Sequence, residues 1–201
     1  AAVNADSFDE GLKAEARLFA ECLSHPQRES LIHIFFAERA ANKIPDLSRE
    51  TELIEINKGS IIGAGTMGGG IAMCFANAGI PVRLYDNDPE NLQHGLEVIE
   101  GNYARTVSRG RLSQNDMDSR MSLIIPTEDF DELGDSDVVI EAVYENLDLK
   151  KEIFTRLDKV MKPGALLATN TSGLDVDAIA AVTSRPELVC GMHFFSPANV
   201  M

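Results

Sequence analysis

The sequence predicts a doubly wound α/β domain with a mostly parallel sheet, preceded by a short helical segment. Three observations carry this prediction. Six short, β-type apolar runs recur between positions 60 and 192. They are mostly continuous rather than alternating, the pattern of strands covered on both faces and hence of a parallel sheet. The runs alternate with helical stretches, and the first passes into its helix through a glycine-rich turn.

Residues 1–43 read as two helices. Leu12, Ala16, Phe19 and Leu23 share one face at helical spacing, and Asp6, Ser7 or Asp9 can cap the start. Pro26 opens a second segment that carries Leu31, Ile34, Phe35 and Phe36. Residues 44–57, with their proline and acidic side chains, read as a charged linker. Residues 58–201 hold the α/β pattern. Ser60-Ile61-Ile62 is the first strand, and the helix after it runs to about Ala78. Val82–Tyr85 is the second strand. Asp88-Pro89 then starts a helix, because Asp is a good N-cap and Pro suits the first helical position. Ser122–Ile125, ended by Pro126, is the third strand, and Val138-Val139-Ile140 the fourth. A helix over Leu147–Met161 stops at Lys162-Pro163-Gly164. Ala165–Thr169 is the fifth strand, Leu174–Val182 a short helix, and Leu188–Met192 the sixth strand.

Composition narrows the function classes. The chain has 201 residues and a net charge of −14, which opposes nucleic-acid backbones and anionic membranes. An anionic ligand must therefore be held by local donors such as helix N-termini. No run approaches the roughly 18 apolar residues of a membrane span. Cys22, Cys74 and Cys190 are odd in number and lack CxxC spacing, so neither a disulfide scaffold nor a cysteine zinc site is expected. His25, His33 and His94 have no His or Cys at metal spacing and read as surface or packing residues, so no metal is expected. Neither a GxSxG elbow nor a GxxxxGK[ST] loop occurs. Arg105, Arg109 and Arg111 read as a solvated face. The start, Ala-Ala-Val-Asn-Ala-Asp, has no initiator Met and no signal-peptide profile, so the chain reads as part of something longer.

The turn is Gly63-Ala64-Gly65-Thr66-Met67-Gly68, a GxGxxG between strand and helix. Gly63 allows the tight turn, Gly65 lets the backbone approach a pyrophosphate, and Gly68 lets the helix pack on the sheet. The pyrophosphate then meets free N–H groups and the positive end of the helix dipole, with Thr66 and Met67 in the first turn. Asp86 ends the second strand, 21 positions after Gly65 (86 − 65), where a ribose-binding carboxylate belongs. A carboxylate there accepts from the ribose hydroxyls and repels a 2′-phosphate, and Asn87-Asp88 supplies no Arg. The expected cofactor is NAD, in a Rossmann-type site.

Four stretches together resemble the NAD-binding domain of 3-hydroxyacyl-CoA dehydrogenase over about residues 58–201. They are the Gly63–Gly68 turn, Asp137–Asn146, Asn170-Thr171-Ser172 and His193-Phe194-Phe195-Ser196-Pro197. Residues 8–43, with Phe35-Phe36-Ala37-Glu38-Arg39, resemble the last helices of the enoyl-CoA hydratase (crotonase-like) part of multifunctional fatty-acid β-oxidation enzymes. The resemblance implies that His193 is the general base toward the 3-hydroxyl of an acyl-CoA substrate, work that suits a side chain with a pKa near 6.5. It implies that Ser172 bonds the substrate oxygen, that Glu145 and Lys150 contact the nicotinamide-side ribose, and that Asn170 lines the cofactor cleft. Lys150 has a second reading, a helix ion pair with Glu145 or Glu152. Glu141 reads as a structural group at a strand end.

The sequence departs from the family at three points. The glutamate that pairs with the histidine would fall beyond Met201, and so would the helical second domain that carries the family's dimer surfaces. Ser196 stands where the monofunctional enzymes often have Asn, and Ser resembles the multifunctional branch. The chain by itself is thus expected to bind NAD and to turn over little or nothing. Any homo-oligomer would form through the absent domain. The compartment is expected to be the cytoplasm in a bacterium and the peroxisome in a eukaryote. Two other readings stay open: a different NAD-dependent β-hydroxyacid or sugar-acid dehydrogenase, and a non-catalytic NAD-binding module.

Overall fold

The computed structural model describes residues 2–41, 43–44, 47–48 and 50–201. Pro45, Asp46 and Arg49, part of the expected linker, lie outside the described residues. The chain divides into two compact units, 1–53 and 54–201. The first contains helices α1 (Phe8–Ser24) and α2 (Gln27–Ala41). Ser7 is the cap of α1, its hydroxyl accepting from the Glu10 N–H at 3.3 Å. Neither helix buries a residue. The Arg39 guanidinium lies over the Phe35 ring at 3.3 Å.

The second unit is a six-stranded, all-parallel sheet in the order β3-β2-β1-β4-β5-β6. Its strands are β1 (Gly59–Ile62), β2 (Val82–Tyr85), β3 (Ile124–Thr127), β4 (Val138–Glu141), β5 (Leu166–Thr169) and β6 (Val189–Gly191). Between them run α3 (Thr66–Asn77), α4 (Pro89–Ser108), α5 (Gln114–Ser122), α6 (Leu147–Val160) and α7 (Val176–Ala180). Two apolar clusters form the core. Ile61, Ile71, Leu84, Ile99 and Ile140 belong to the one that includes α3 and α4. Val139, Phe154, Leu157, Leu167 and Ile179 belong to the one that includes α6 and α7. Adjacent strand residues thus serve opposite clusters (Ile61 and Ile62, Val139 and Ile140). That is why the runs read as continuously apolar.

Two details differ from the sequence reading. Pro126 lies inside β3 rather than ending it, paired in register with Leu84. β3 is at the edge of the sheet, where a residue without an N–H is tolerated. Helix α5 was not foreseen. Seven of its nine residues are polar and only Met117 is buried, and it is held by the Ser113 hydroxyl accepting from the Asp116 N–H at 3.0 Å. The strand order reverses between β1 and β4. In open α/β sheets, ligands bind at the carboxyl ends of the strands beside such a reversal.

Candidate active site

The turn from β1 into α3 meets this reversal. Gly63 has φ +100°, a conformation that L side chains rarely adopt, and a Cβ there would stand 2.8 Å from the Ala142 oxygen. Gly68 faces a harder limit, because its Cβ would lie 1.7 Å from the Gly63 oxygen. Both glycines are therefore demanded by the fold. Gly65 is different. Its φ of −69° suits any residue, and a Cβ there would meet nothing within 4 Å. Neither backbone nor packing calls for glycine at 65, so the open space before it is the observation that fits an approaching pyrophosphate. The α3 start behind it has no side-chain cap, which leaves its N-terminal donors to a ligand.

Asp86, at the end of β2, completes the turn. Its Oδ2 accepts from the Ala64 N–H at 2.8 Å and its Oδ1 from the Asp88 N–H at 3.1 Å. Each oxygen keeps a lone pair for a ribose hydroxyl. Gly63, Gly65, Thr66, Met67 and Asp86 all line one cleft of about 660 Å³, and Gly68 is buried behind them. These residues fit NAD.

The other candidates cluster after β4, β5 and β6, outside that cleft. Lys150 is 1% exposed and does not line the cleft. Its ammonium donates to Glu141 Oε1 at 2.6 Å and lies 3.5 Å from Glu145 Oε2. The main partner is thus Glu141 rather than Glu145 or Glu152, the two the sequence suggested. Glu141 is fully buried. It also accepts from the Val143 N–H at 2.7 Å and from the Thr169 hydroxyl at 2.6 Å, which fits its reading as a strand-end structural group. Glu145 is half exposed and accepts from the Thr171 hydroxyl. Desolvation pulls its pKa upward, but the Thr171 bond and the Lys150 charge outweigh it. The carboxyl stays below the usual range and holds its charge.

Asn170 follows β5, and its Oδ1 accepts from the Phe194 N–H at 2.8 Å. That bond ties the β5 end to the segment that carries His193. Ser172 and His193 are both exposed. The imidazole rests edge-on against Phe195, with ring centroids 5.2 Å apart. Thus His193 and Ser172 stand just past the carboxyl ends of two hydrogen-bonded strands.

Several cleft residues were missed. Leu149, Glu152, Ile153 and Arg156 line it from α6, Asn91 and His94 from the start of α4, and Asn87 from the turn before α4. Their spacing, i, i+3, i+4, i+7 in α6 and i, i+3 in α4, was the available signal. His94, read as a surface or packing residue, is exposed and at the cleft wall. Among the described residues no group of three His, Cys, Asp or Glu side chains could hold a metal ion. The described helices include none long and apolar enough to cross a membrane. Burial pushes the Cys74 and Cys190 thiols up, which makes them poor nucleophiles.

Comparison with known proteins agrees with this geometry. Residues 58–201 match the family model "3-hydroxyacyl-CoA dehydrogenase, NAD binding domain". The peroxisomal bifunctional enzyme of Danio rerio is 41% identical over 198 residues, 96% of this chain and 27% of the relative. The chain therefore spans about a quarter of the length of the curated relatives it matches. Among solved structures, 3-hydroxybutyryl-CoA dehydrogenase from Escherichia coli K12 aligns with a TM-score of 0.72 and 41% identity. That alignment covers 73% of this chain and 31% of the other. The dehydrogenase part of multifunctional enzyme 1 from C. elegans gives a TM-score of 0.70 and 36% identity, over 79% of this chain and 37% of the other. With the Gly65 opening, the Asp86 carboxylate and these matches together, the chain belongs to the 3-hydroxyacyl-CoA dehydrogenase family, in its NAD-binding domain.

Proposed function

We propose that this chain is the NAD-binding part of a multifunctional fatty-acid β-oxidation enzyme that oxidises L-3-hydroxyacyl-CoA to 3-ketoacyl-CoA. Residues 58–201 bind the dinucleotide, 44–57 are the linker, and 1–43 are the helical tail of an enoyl-CoA hydratase domain. The observation that carries the reading is the placement of Ser172 and His193. Both are exposed past neighbouring strand ends, and the Asn170–Phe194 bond joins their two segments.

When bound, NAD supplies the hydride acceptor. His193 takes the proton of the 3-hydroxyl as the C3 hydride leaves, and the Ser172 hydroxyl donates to the oxygen that becomes the carbonyl. Glu145 keeps its charge at the nicotinamide end, held by Thr171 and Lys150. The buried Glu141–Lys150 pair fixes that loop, and Lys150, itself shut off from the cleft, acts on the nicotinamide-side ribose only by holding Glu145. Asn170 acts from outside the cleft, its Oδ1 holding the Phe194 N–H and with it the segment of His193. The acyl-CoA is the partner of the whole enzyme, and any self-association uses surfaces outside these residues. A eukaryotic source places the enzyme in the peroxisome, as in the similar animal and plant proteins; a bacterial source places it in the cytoplasm. His193→Ala in the full-length protein tests the reading. Turnover of an L-3-hydroxyacyl-CoA should fall at least about a hundredfold, with NADH binding retained. Undiminished turnover removes the base assignment.

A further inference from the structure

The cleft of about 660 Å³ is lined by no residue beyond Arg156, so neither the segment after β5 nor the one after β6 reaches it. Asp86 marks the ribose position and Gly65 the pyrophosphate position along its wall. The remaining wall is the space for the base of the adenosine. Tyr85, Phe130, Leu149 and Ile153 give that wall its apolar part beside Asn91, His94 and Glu152, and among the described residues Arg156 is the one Arg or Lys that lines it.

Arg156 is held in an unusual way for a half-exposed arginine. Its guanidinium carbon lies 3.9 Å above the centre of the Phe130 ring, and that ring packs edge-on against Tyr85 with centroids 5.3 Å apart. An Nη sits 3.6 Å from Asp131 Oδ1. The plane is thus supported on one face by Phe130, which is itself buried. The Arg156 side chain keeps 54% of its exposure and lines the cleft. A planar cation stacks on a flat heteroaromatic ring as well as on a phenyl ring. Resting on the NAD reading above, we infer that Arg156 is a base-stacking residue. The adenine of the dinucleotide lies on the guanidinium face turned away from Phe130, giving a Phe130–Arg156–adenine stack. The chemistry selects a purine by its flat face and is indifferent to the nicotinamide.

The test uses the 201-residue chain, with NADH, NADPH, AMP and nicotinamide mononucleotide as ligands and the fluorescence of 1,N6-etheno-AMP as a stacking signal. Arg156→Leu removes plane and charge, and Arg156→Lys removes only the plane. Because the side chain is half exposed, both variants should fold as the parent does. Both should weaken NADH and AMP by the same factor, about tenfold. They should also lose the etheno-AMP fluorescence change and leave nicotinamide mononucleotide unaffected. Parental AMP affinity in Arg156→Leu overturns the proposal. So does full recovery in Arg156→Lys, which would make charge rather than the plane responsible, and so does a loss confined to ligands with a 2′-phosphate. A parent chain that binds no NADH overturns the NAD reading itself, a result distinct from these three.

Discussion

The two sides of the site are built by different means. On the β1–β2 side, backbone makes the surface. At two glycines a Cβ would strike main chain, at a third it would stand in open space, and Asp86 clamps the turn through the Ala64 N–H. On the β4–β6 side, side chains make it. A buried Glu141–Lys150 pair, two threonine hydroxyls and the Asn170 amide join residues up to 28 positions apart. The first side is one contiguous glycine-rich turn, closed by the Asp86 carboxylate and by the Ala142 carbonyl. The second is a network in which every member depends on partners from another element. The backbone-built side should therefore fail at single positions for steric reasons, whereas the networked side should fail through charges left without a partner.

The largest effect is expected in the network. Lys150→Met leaves the Glu141 carboxylate buried without its cation and should destabilise the chain by about 3–5 kcal/mol, read as a shift of the denaturant midpoint. Pairing it with Glu141→Gln should recover most of that loss. No recovery would mean that packing, and not charge, holds this side together.

Next comes the steric side. Gly68→Ala forces a methyl to within 1.7 Å of a carbonyl oxygen, and should cost about 3 kcal/mol with a matching loss of Tm. A smaller effect is expected at the far edge of the network. Asp158 accepts from the Ser184 N–H, the Ser184 hydroxyl and the Arg185 Nε at 2.8, 3.0 and 2.9 Å. Partial desolvation raises its pKa, but these bonds win, and the carboxyl lies below the usual Asp range. Its contribution is present above the unfolded Asp pKa and is lost as pH falls through the lower folded value. Asp158→Asn should cost about 1–2 kcal/mol at neutral pH. The gap to the parent should close in acid below about pH 4. A gap that widens in acid would contradict the sign of the shift.

The smallest effect on stability separates glycine from glycine. Gly65→Ala has room for its methyl and should change stability by less than about 0.5 kcal/mol. It should nonetheless weaken NADH at least about tenfold, because the methyl occupies the space of the pyrophosphate. If Gly65→Ala behaved like Gly68→Ala, the division between fold-required and ligand-required glycines would be lost.

Much of the first side was legible. GxGxxG lies in one stretch, and Asp86 sits at the distance that one βαβ unit imposes. Strand positions followed from apolar runs because burial on both faces leaves a mark at each residue. Helix α5 left almost none, since its only apolar residues are Met117 and Met121 and it is polar elsewhere. The partner of Lys150 was visible only as a choice among acids near in sequence, Glu145 and Glu152, whereas the end of β4 brings in Glu141. Arg156 and Phe130 are 26 positions apart, and nothing local joins them.

The sequence by itself determined the α/β class, the positions of the apolar strands, the glycine-rich turn and the acidic residue at the end of the second strand. Each of these depends on neighbours along the chain or on burial averaged over a whole element. The tertiary structure alone decided which glycines the fold requires and which stands before open space, where the buried lysine finds its charge, and which planar cation faces the cleft. Those outcomes depend on the distance between atoms remote in sequence, and that distance is set only when the helices close over the sheet.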